Sequence, residues 1–299
     1  MNSHSIGSII RNARDRLRRA GVDTPGLDAE LLVGHVLGYD RIELRVHDTA
    51  MVAPDDARAI DELISRREAR EPVQYLLGRA PFRTIELAVD ARVLIPRPET
   101  ELLVDRVHAA RDAFDGVPPL DVIDVCTGSG AVALAVAAEL GKHEAGEPPA
   151  VRVRASDISS QALDVARDNA TRTPYGNIVS WSEGDLLAPF AGSSAHIVVA
   201  NPPYVPRSDA AEMQPDVRDY EPHLALFVDD DRALVLVERL ARQSWSILMP
   251  GGRLAIEIGA GWAPAAASVL EQAGFVAVAR HTDLAGIERV VEGVRPAGP

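Results

Sequence analysis

"LDVIDVCTGSGAVALAVAAEL", residues 120 to 140, contains the transition on which the fold of this chain turns. Leu120 to Cys126 are mostly apolar and β-branched, the pattern of an interior strand. Ala131 to Leu140 are rich in alanine and leucine and predict a helix. Between them lies a loop, Thr127-Gly128-Ser129-Gly130, that ends the strand and opens the helix. The same order recurs downstream. "VRVRASD" precedes "SSQALDVARDNA", "IVSWSEGD" and "HIVVANPP" add strands, and "RLAIEIG" precedes "APAAASVLEQAG". Alternating βα units of this kind predict a mostly parallel sheet covered on both faces. The last two strands, "FVAVAR" and "ERVVEGV", have no helix between them and are expected to form an antiparallel hairpin at the sheet's edge.

The first 80 residues differ in character. Ile6, Ile9, Ile10, Ala13 and Leu17 recur at helical spacing, as do Leu27, Leu31, Leu32 and Val36. "APDDARAIDELISRREAREP" begins with proline and acids and ends with arginines, the order a helix dipole favours. A small helical bundle over 1–80 is expected. In 81–98, Ile85, Leu87 and Val89 alternate and Val93 to Ile95 follow Asp90-Ala91, which predicts a linking β-hairpin. Pro98 then opens a helix, and residues 99–299 form the α/β domain.

The chain of 299 residues carries a formal charge of −13. Nucleic-acid binders generally show a basic surplus, because phosphate neutralisation dominates their affinity. The one basic cluster, Arg11, Arg14, Arg16, Arg18 and Arg19, reads as a solvated helix face. No apolar run reaches membrane-span length and no signal-peptide layout opens the chain, so a cytoplasmic location without membrane contact is expected. A single cysteine, Cys126, excludes an internal disulfide framework and a multi-cysteine metal site.

In an open α/β sheet the ligand binds beyond the carboxyl ends of the strands. Four loops there carry informative residues. Gly128 and Gly130 permit close backbone approach, and the helix start behind them offers free N–H groups. Tight packing is the lesser alternative for such glycines, and with Ala133 they also fit a dinucleotide pattern. Asp157 ends the next strand, where an acid can accept both hydroxyls of a ribose. It also stands close to a helix start, where Ser159 competes to be the cap. Glu183-Gly184-Asp185-Leu186 can edge an adenine or form a plain surface turn. The fourth loop, Asn201-Pro202-Pro203-Tyr204, decides the reading. Asn201 offers a side-chain carbonyl and Pro202 a backbone carbonyl, held on a stiff turn. Two such acceptors suit a planar group with two N–H bonds, and Tyr204 can stack on its flat face.

"NPPY" after the fourth strand, with a glycine loop after the first, resembles the amino methyltransferases that use S-adenosylmethionine. The longer stretches "REPVQYLLGRAPF", "LIPRPETE", "DVCTGSGAVALA", "VVANPPYVP", "YEPHLAL" and "DLAGIERVV" resemble the HemK/PrmC family of release-factor glutamine N5-methyltransferases, over nearly the whole chain. That resemblance implies a Rossmann-like seven-stranded methyltransferase domain behind a helical substrate-recognition domain. It implies S-adenosyl-L-methionine as cofactor and peptide-chain release factors as partners, methylated on the glutamine of their Gly-Gly-Gln motif. It places the cofactor on Cys126, Thr127, Gly128, Ser129, Gly130, Asp157, Asp185, Leu186 and Asn201. The substrate clamp falls on Asn201, Pro202, Pro203 and Tyr204, with Asn201, Pro202 and Tyr204 catalytic and no metal. Two departures stand out: Cys126 occupies a position where the family commonly has glycine, and "VDDDRAL" follows "YEPHLALF" where a glycine-rich turn is usual.

Other readings compete. In adenine-N6 methylation the base's exocyclic amine would fit the same clamp, but such an enzyme needs a nucleic-acid surface that the −13 charge argues against. An NAD-dependent oxidoreductase leaves the Asn-Pro-Pro-Tyr turn unexplained. A non-catalytic scaffold would not need an intact clamp.

Overall fold

The computed structural model describes residues 4–114, 119–142, 150–229 and 234–297. Two compact units emerge: Met1–Arg79 with Gln214–Tyr220, and Ala80–Met213 with Glu221–Pro299. The "VDDDRAL" departure lies largely outside the described residues.

The first unit is helical, and local signals explain where its helices start and stop. Helix α1 (Ile6–Arg19) is capped by the Ser5 side chain, which accepts from the backbone of Ser8. Helix α2 (Pro25–Leu37) begins on proline and ends at Gly38, held at φ 69°. Helix α3 (Arg41–Val46) has a reciprocal capping box between Asp40 and Glu43. Helix α4 (Pro54–Glu68) carries Asp55 and Asp56 in its first turn and Arg66 and Arg67 in its last. Helix α5 (Val73–Leu77) closes on Gly78. Leu17, Leu32, Leu44, Ile60 and Ile64 form the core, each burial contributing roughly 1.5–3 kcal/mol. Arg67 lies in that interior, 2.7 Å from Asp28 and 2.7 Å from Asp216. Residues 214–220 thus join a unit that sequence order alone would not assign them to. Of the arginine cluster, Arg16 is only partly solvated, because it pairs with Glu68 and Asp61.

The second unit begins with strands β1 (Arg79–Phe82) and β2 (Ile85–Ala88), a two-stranded sheet that turns at Arg83-Thr84. This corrects the hairpin expected from the sequence, with its turn at Asp90-Ala91 and Val93 to Ile95 as the returning strand. There, the Asp90 side chain accepts from Arg92 N and its carbonyl from Val93 N, while Ile95 N donates to Glu221 Oε2 at 3.0 Å. With its N–H groups spent on turns and a side chain, that segment has no ladder to form. Pro98 opens a short 3-10 turn (Pro98–Thr100) that runs into α6 (Glu101–Ala113).

Then come β3 (Leu120–Val125), α7 (Ala131–Leu140), β4 (Val151–Asp157), α8 (Ser160–Arg172), β5 (Val179–Glu183) and β6 (Ala195–Ala200). Two short elements, β7 (Val205–Pro206) and α9 (Pro215–Tyr220), lead to α10 (His223–Leu226) and β8 (Phe227–Val228). The chain closes with α11 (Val235–Ile247), β9 (Leu248–Glu257), α12 (Ala263–Gln272), β10 (Val276–Thr282) and β11 (Glu288–Val294). Seven strands form one sheet in the order β10-β11-β9-β6-β3-β4-β5. Pairings from β9 through β5 are parallel, whereas β11 runs antiparallel to both β9 and β10. Both faces are covered. Val122, Ile197 and Val199 pack with Leu134 and Leu103, and Ile123, Val198 and Ala200 pack with Leu240 and Leu270. Burial on alternate sides is why these strands read as unbroken apolar runs. Strand order reverses between β3 and β6, and the crevice that open sheets offer to ligands lies there.

Candidate active site

A cavity of about 370 Å³ opens at the carboxyl ends of β3, β4, β5 and β6. Cys126, Thr127, Gly128, Ser129, Asp157, Asp185, Leu186, Asn201 and Pro203 all line it, so nine of the expected site residues converge from four separate loops. Ile158, Leu224 and Phe227 add apolar wall. The volume falls in the range of small-molecule sites.

The loop after β3 is built by a buried acid. Asp124 accepts from the Thr127 hydroxyl at 2.6 Å and from Ala133 N at 3.2 Å, which bends the chain into the start of α7. Burial raises the Asp124 carboxyl to about 7. Its two glycines serve different ends. At Gly128, φ is 55° and a Cβ would project into open space, so the bare backbone is free for a ligand. At Gly130, φ is 83° and a Cβ would meet Trp181 at 2.9 Å, so this glycine serves packing. Gly130 lies off the cavity wall and opens α7 instead. Cys126 adopts φ 59°, a left-handed conformation that non-glycine residues seldom hold. Glycine is therefore the unstrained residue here. Burial also pushes the Cys126 thiol above its ordinary range.

Asp157 accepts from Gly128 N and from Ser159 N, each at 2.9 Å. Burial raises its carboxyl, and these N–H bonds oppose the rise. Ser159 caps α8 by accepting from Ala162 N, so Asp157 is not the helix cap. In the loop after β5, Asp185 pairs with Arg239, and Leu186 takes φ 53° with its carbonyl held by Ser156 at 2.9 Å.

Asn201 follows β6 directly, and its Nδ2 donates to Thr100 Oγ1 at 3.1 Å. That bond leaves the Asn201 carbonyl oxygen available. Pro202 is buried and Tyr204 partly so, and neither forms cavity wall. Tyr204 instead lies against Gly259, with its hydroxyl 3.4 Å from Glu257 Oε1. Burial raises the Tyr204 hydroxyl above its ordinary range and lifts the Glu257 carboxyl to about 7. Glu221, buried, holds Arg97 at 2.5 Å and so joins the "LIPRPETE" and "YEPHLAL" stretches.

Sequence reasoning missed Thr100, Glu257 and the Arg97–Glu221 pair. A signal for Glu257 did exist: it is the lone acid in the apolar run "LAIEI" of an interior strand. Buried acids in such places are paired for a reason.

A rigid turn with a free carbonyl acceptor, set beside a glycine loop and an acid on this sheet, is the equipment of a methyltransferase. Residues 8–78 match the family model "PrmC N-terminal domain", and residues 111–217 match "RMKL-like, methyltransferase domain". A release factor glutamine methyltransferase of Deinococcus radiodurans is 40% identical over 294 residues, covering 98% of this chain and 99% of that protein. One from Streptomyces coelicolor is 41% identical over 250 residues, 83% of each chain. Among solved structures, the hMettl16 catalytic domain in complex with a MAT2A 3'UTR hairpin shares the fold at TM-score 0.53. It is 15% identical, over 78% of this chain and 83% of that one. The chain belongs to the release factor glutamine methyltransferase family. No helix among the described residues is long and apolar enough to cross a membrane.

Proposed function

We propose that this enzyme transfers the methyl group of S-adenosylmethionine to the side-chain nitrogen N5 of the glutamine in the Gly-Gly-Gln motif of peptide-chain release factors. The observation that carries the reading is the meeting of Asn201, Gly128 and Asp157 on one cavity. The relatives' names supply the substrate class.

The residues present suit the cofactor. Gly128 offers open space beside a bare backbone, Asp157 an acceptor for ribose hydroxyls, and Leu186 with Ile158 an apolar wall for a base. When bound, S-adenosylmethionine supplies an electrophilic methyl on a sulfonium. This chain's own task is to prepare the nucleophile. A glutamine amide nitrogen is weak because its lone pair is delocalised into the carbonyl, the resonance that also keeps peptides planar. In the proposed pose, Asn201 Oδ1 and the Pro202 carbonyl each accept one N–H of that amide. Both bonds raise electron density on nitrogen, favour its pyramidalisation and aim it for in-line attack. Orientation and charge complementarity of this kind are each worth several kcal/mol. The N–C bond forms as the S–C bond breaks, and the surplus amide proton leaves to water.

We also propose that the helical unit, residues 1–80 on the linear reading, recognises the folded release factor, because a glutamine tripeptide offers too little surface for specificity. Cytoplasmic work on a protein partner, without direct nucleic-acid contact, is consistent with the charge of −13. The test is incubation of purified release factor with this enzyme and methyl-labelled S-adenosylmethionine, followed by peptide mass spectrometry. One added methyl on the glutamine of the Gly-Gly-Gln peptide is the expected result. Label on nucleic acid, with none on the factor, would establish adenine methylation instead.

A further inference from the structure

Behind Asn201 lies a set of polar groups that the clamp itself does not use. Thr100 lines the cavity and accepts from Asn201 Nδ2 at 3.1 Å. The same Thr100 side chain lies close enough to the Glu257 carboxyl to oppose the effect of burial on it, and that carboxyl faces the Tyr204 hydroxyl at 3.4 Å. Glu257 is 1% exposed, and its Oε2 has no hydrogen-bond partner among the described residues. A carboxylate in such a place is costly, and apolar packing alone would be served better by a leucine.

The chemistry of a hydroxyl makes the arrangement directional. Threonine has one proton to donate and two lone pairs to accept with. Asparagine has two chemically opposite ends of nearly equal shape, and only its hydrogen-bond partners decide which end points where. We propose that Thr100 and Glu257 are positioning residues for methyl transfer. Glu257 accepts the Thr100 hydroxyl proton in a hydrogen bond, which leaves Thr100 Oγ1 able only to accept, so Asn201 turns its NH₂ toward Thr100 and its carbonyl toward the substrate amide. Without that constraint the Asn201 amide is free to flip, and a flipped amide presents N–H to N–H and repels the glutamine. Serial hydrogen bonds also polarise one another, so each link makes the Asn201 oxygen a better acceptor. Tyr204 is held by the same carboxyl, which ties both ends of the Asn-Pro-Pro-Tyr turn to one buried group.

This inference rests on the proposed amide-methylating function, and the test separates the two. Single-turnover methylation of purified release factor is measured for the wild type, Thr100→Val, Thr100→Ser and Glu257→Gln, beside S-adenosylmethionine affinity by calorimetry and melting curves. Thr100→Val keeps the shape but removes the acceptor. It is expected to slow the chemical step about tenfold or more while cofactor affinity stays within about twofold. Thr100→Ser restores the hydroxyl and should recover to within about threefold of wild type. Glu257→Gln can donate to Thr100 as well as accept, which releases the constraint, and should also slow the chemical step. Wild-type rates in a folded Thr100→Val, or serine no better than valine, would overturn the positioning role. A wild type that leaves the factor unmethylated sinks the functional reading itself, and this inference with it.

Discussion

Gly128 N donates to Asp157 Oδ2 at 2.9 Å, so the glycine loop after β3 is tied to the acid that ends β4. Asp157 thereby has two tasks: it shapes the loop and, on the proposed reading, it accepts from the cofactor's ribose. Asp157→Ala is expected to weaken S-adenosylmethionine binding by at least the roughly 1.5–3 kcal/mol typical of hydrogen bonds to a charged group. Asp157→Asn keeps one acceptor and should lose less. Calorimetry on folded variants decides it, and unchanged affinity would remove Asp157 from the binding site.

Cys126 offers a stability test at the neighbouring position. Its φ of 59° suits glycine and strains any side chain, most of all a β-branched one. Cys126→Gly is expected to melt no lower than wild type, since relief of strain offsets the extra chain entropy of glycine. Cys126→Val should lose about 1–3 kcal/mol by denaturant titration. Equal stability of the two variants would contradict the left-handed backbone.

Asn201→Ala should lower the single-turnover rate about a hundredfold or more, the scale for losing one preorganised partner in a transition state. Cofactor affinity should change far less. From the sequence, Asn201→Asp is expected to outperform alanine, because it keeps an acceptor at the same reach. The structure revises that expectation. An aspartate here would face Thr100 with the buried Glu257 behind it, and would lose the N–H that Thr100 accepts. The prediction is that aspartate gains little over alanine, and that the two rates lie within about tenfold of each other. An Asn201→Asp enzyme near wild-type rate would count against the hydrogen-bond order assigned to this cluster.

Asp124 and Glu257 give the stability a pH dependence with a defined sign. Burial is the largest cause in each case and raises both carboxyls to about 7, whereas in the unfolded chain they titrate near ~4. The folded state then holds more protons between those values, so the stabilising contribution is full below about pH 4 and is lost as pH rises through about 7. Denaturant unfolding between pH 4.5 and 8 should show Asp124→Asn and Glu257→Gln with a shallower loss than wild type. Comparing variant with wild type isolates these two groups from Glu139 and Glu292, whose carboxyls are shifted down and act in the opposite sense. Parallel profiles in all three proteins would refute the assignment.

Much of this architecture is written locally. The strand–helix alternation from Leu120 onward follows from runs such as Ile197 to Ala200, whose burial on both faces leaves no other pattern open to them. Helix ends followed from prolines, acids and glycines whose backbone preferences act within a few residues. The site loops were legible for the same reason: each stands where a strand stops, and strand ends on one edge of a parallel sheet must converge. Cys126 could be marked as a departure, but only the backbone revealed that its cost is a left-handed φ.

What the tertiary structure decided are the contacts that join distant parts of the chain. The hairpin slipped toward the N-terminus because Glu221, 126 residues away, takes the N–H of Ile95. Gln214 to Tyr220 joined the helical unit because Asp216 completes the buried pairing of Arg67, which no local pattern announces. Gly130 turned out to serve packing because Trp181 fills the space a side chain would need. Thr100 became the partner of Asn201, with Glu257 behind it, only when three separate segments met in space. Sequence by itself determined which residues could carry the chemistry, since propensity and periodicity act over a few neighbours. Which partner Asn201 takes was a matter of long-range contact, set by the packing of segments about a hundred residues apart.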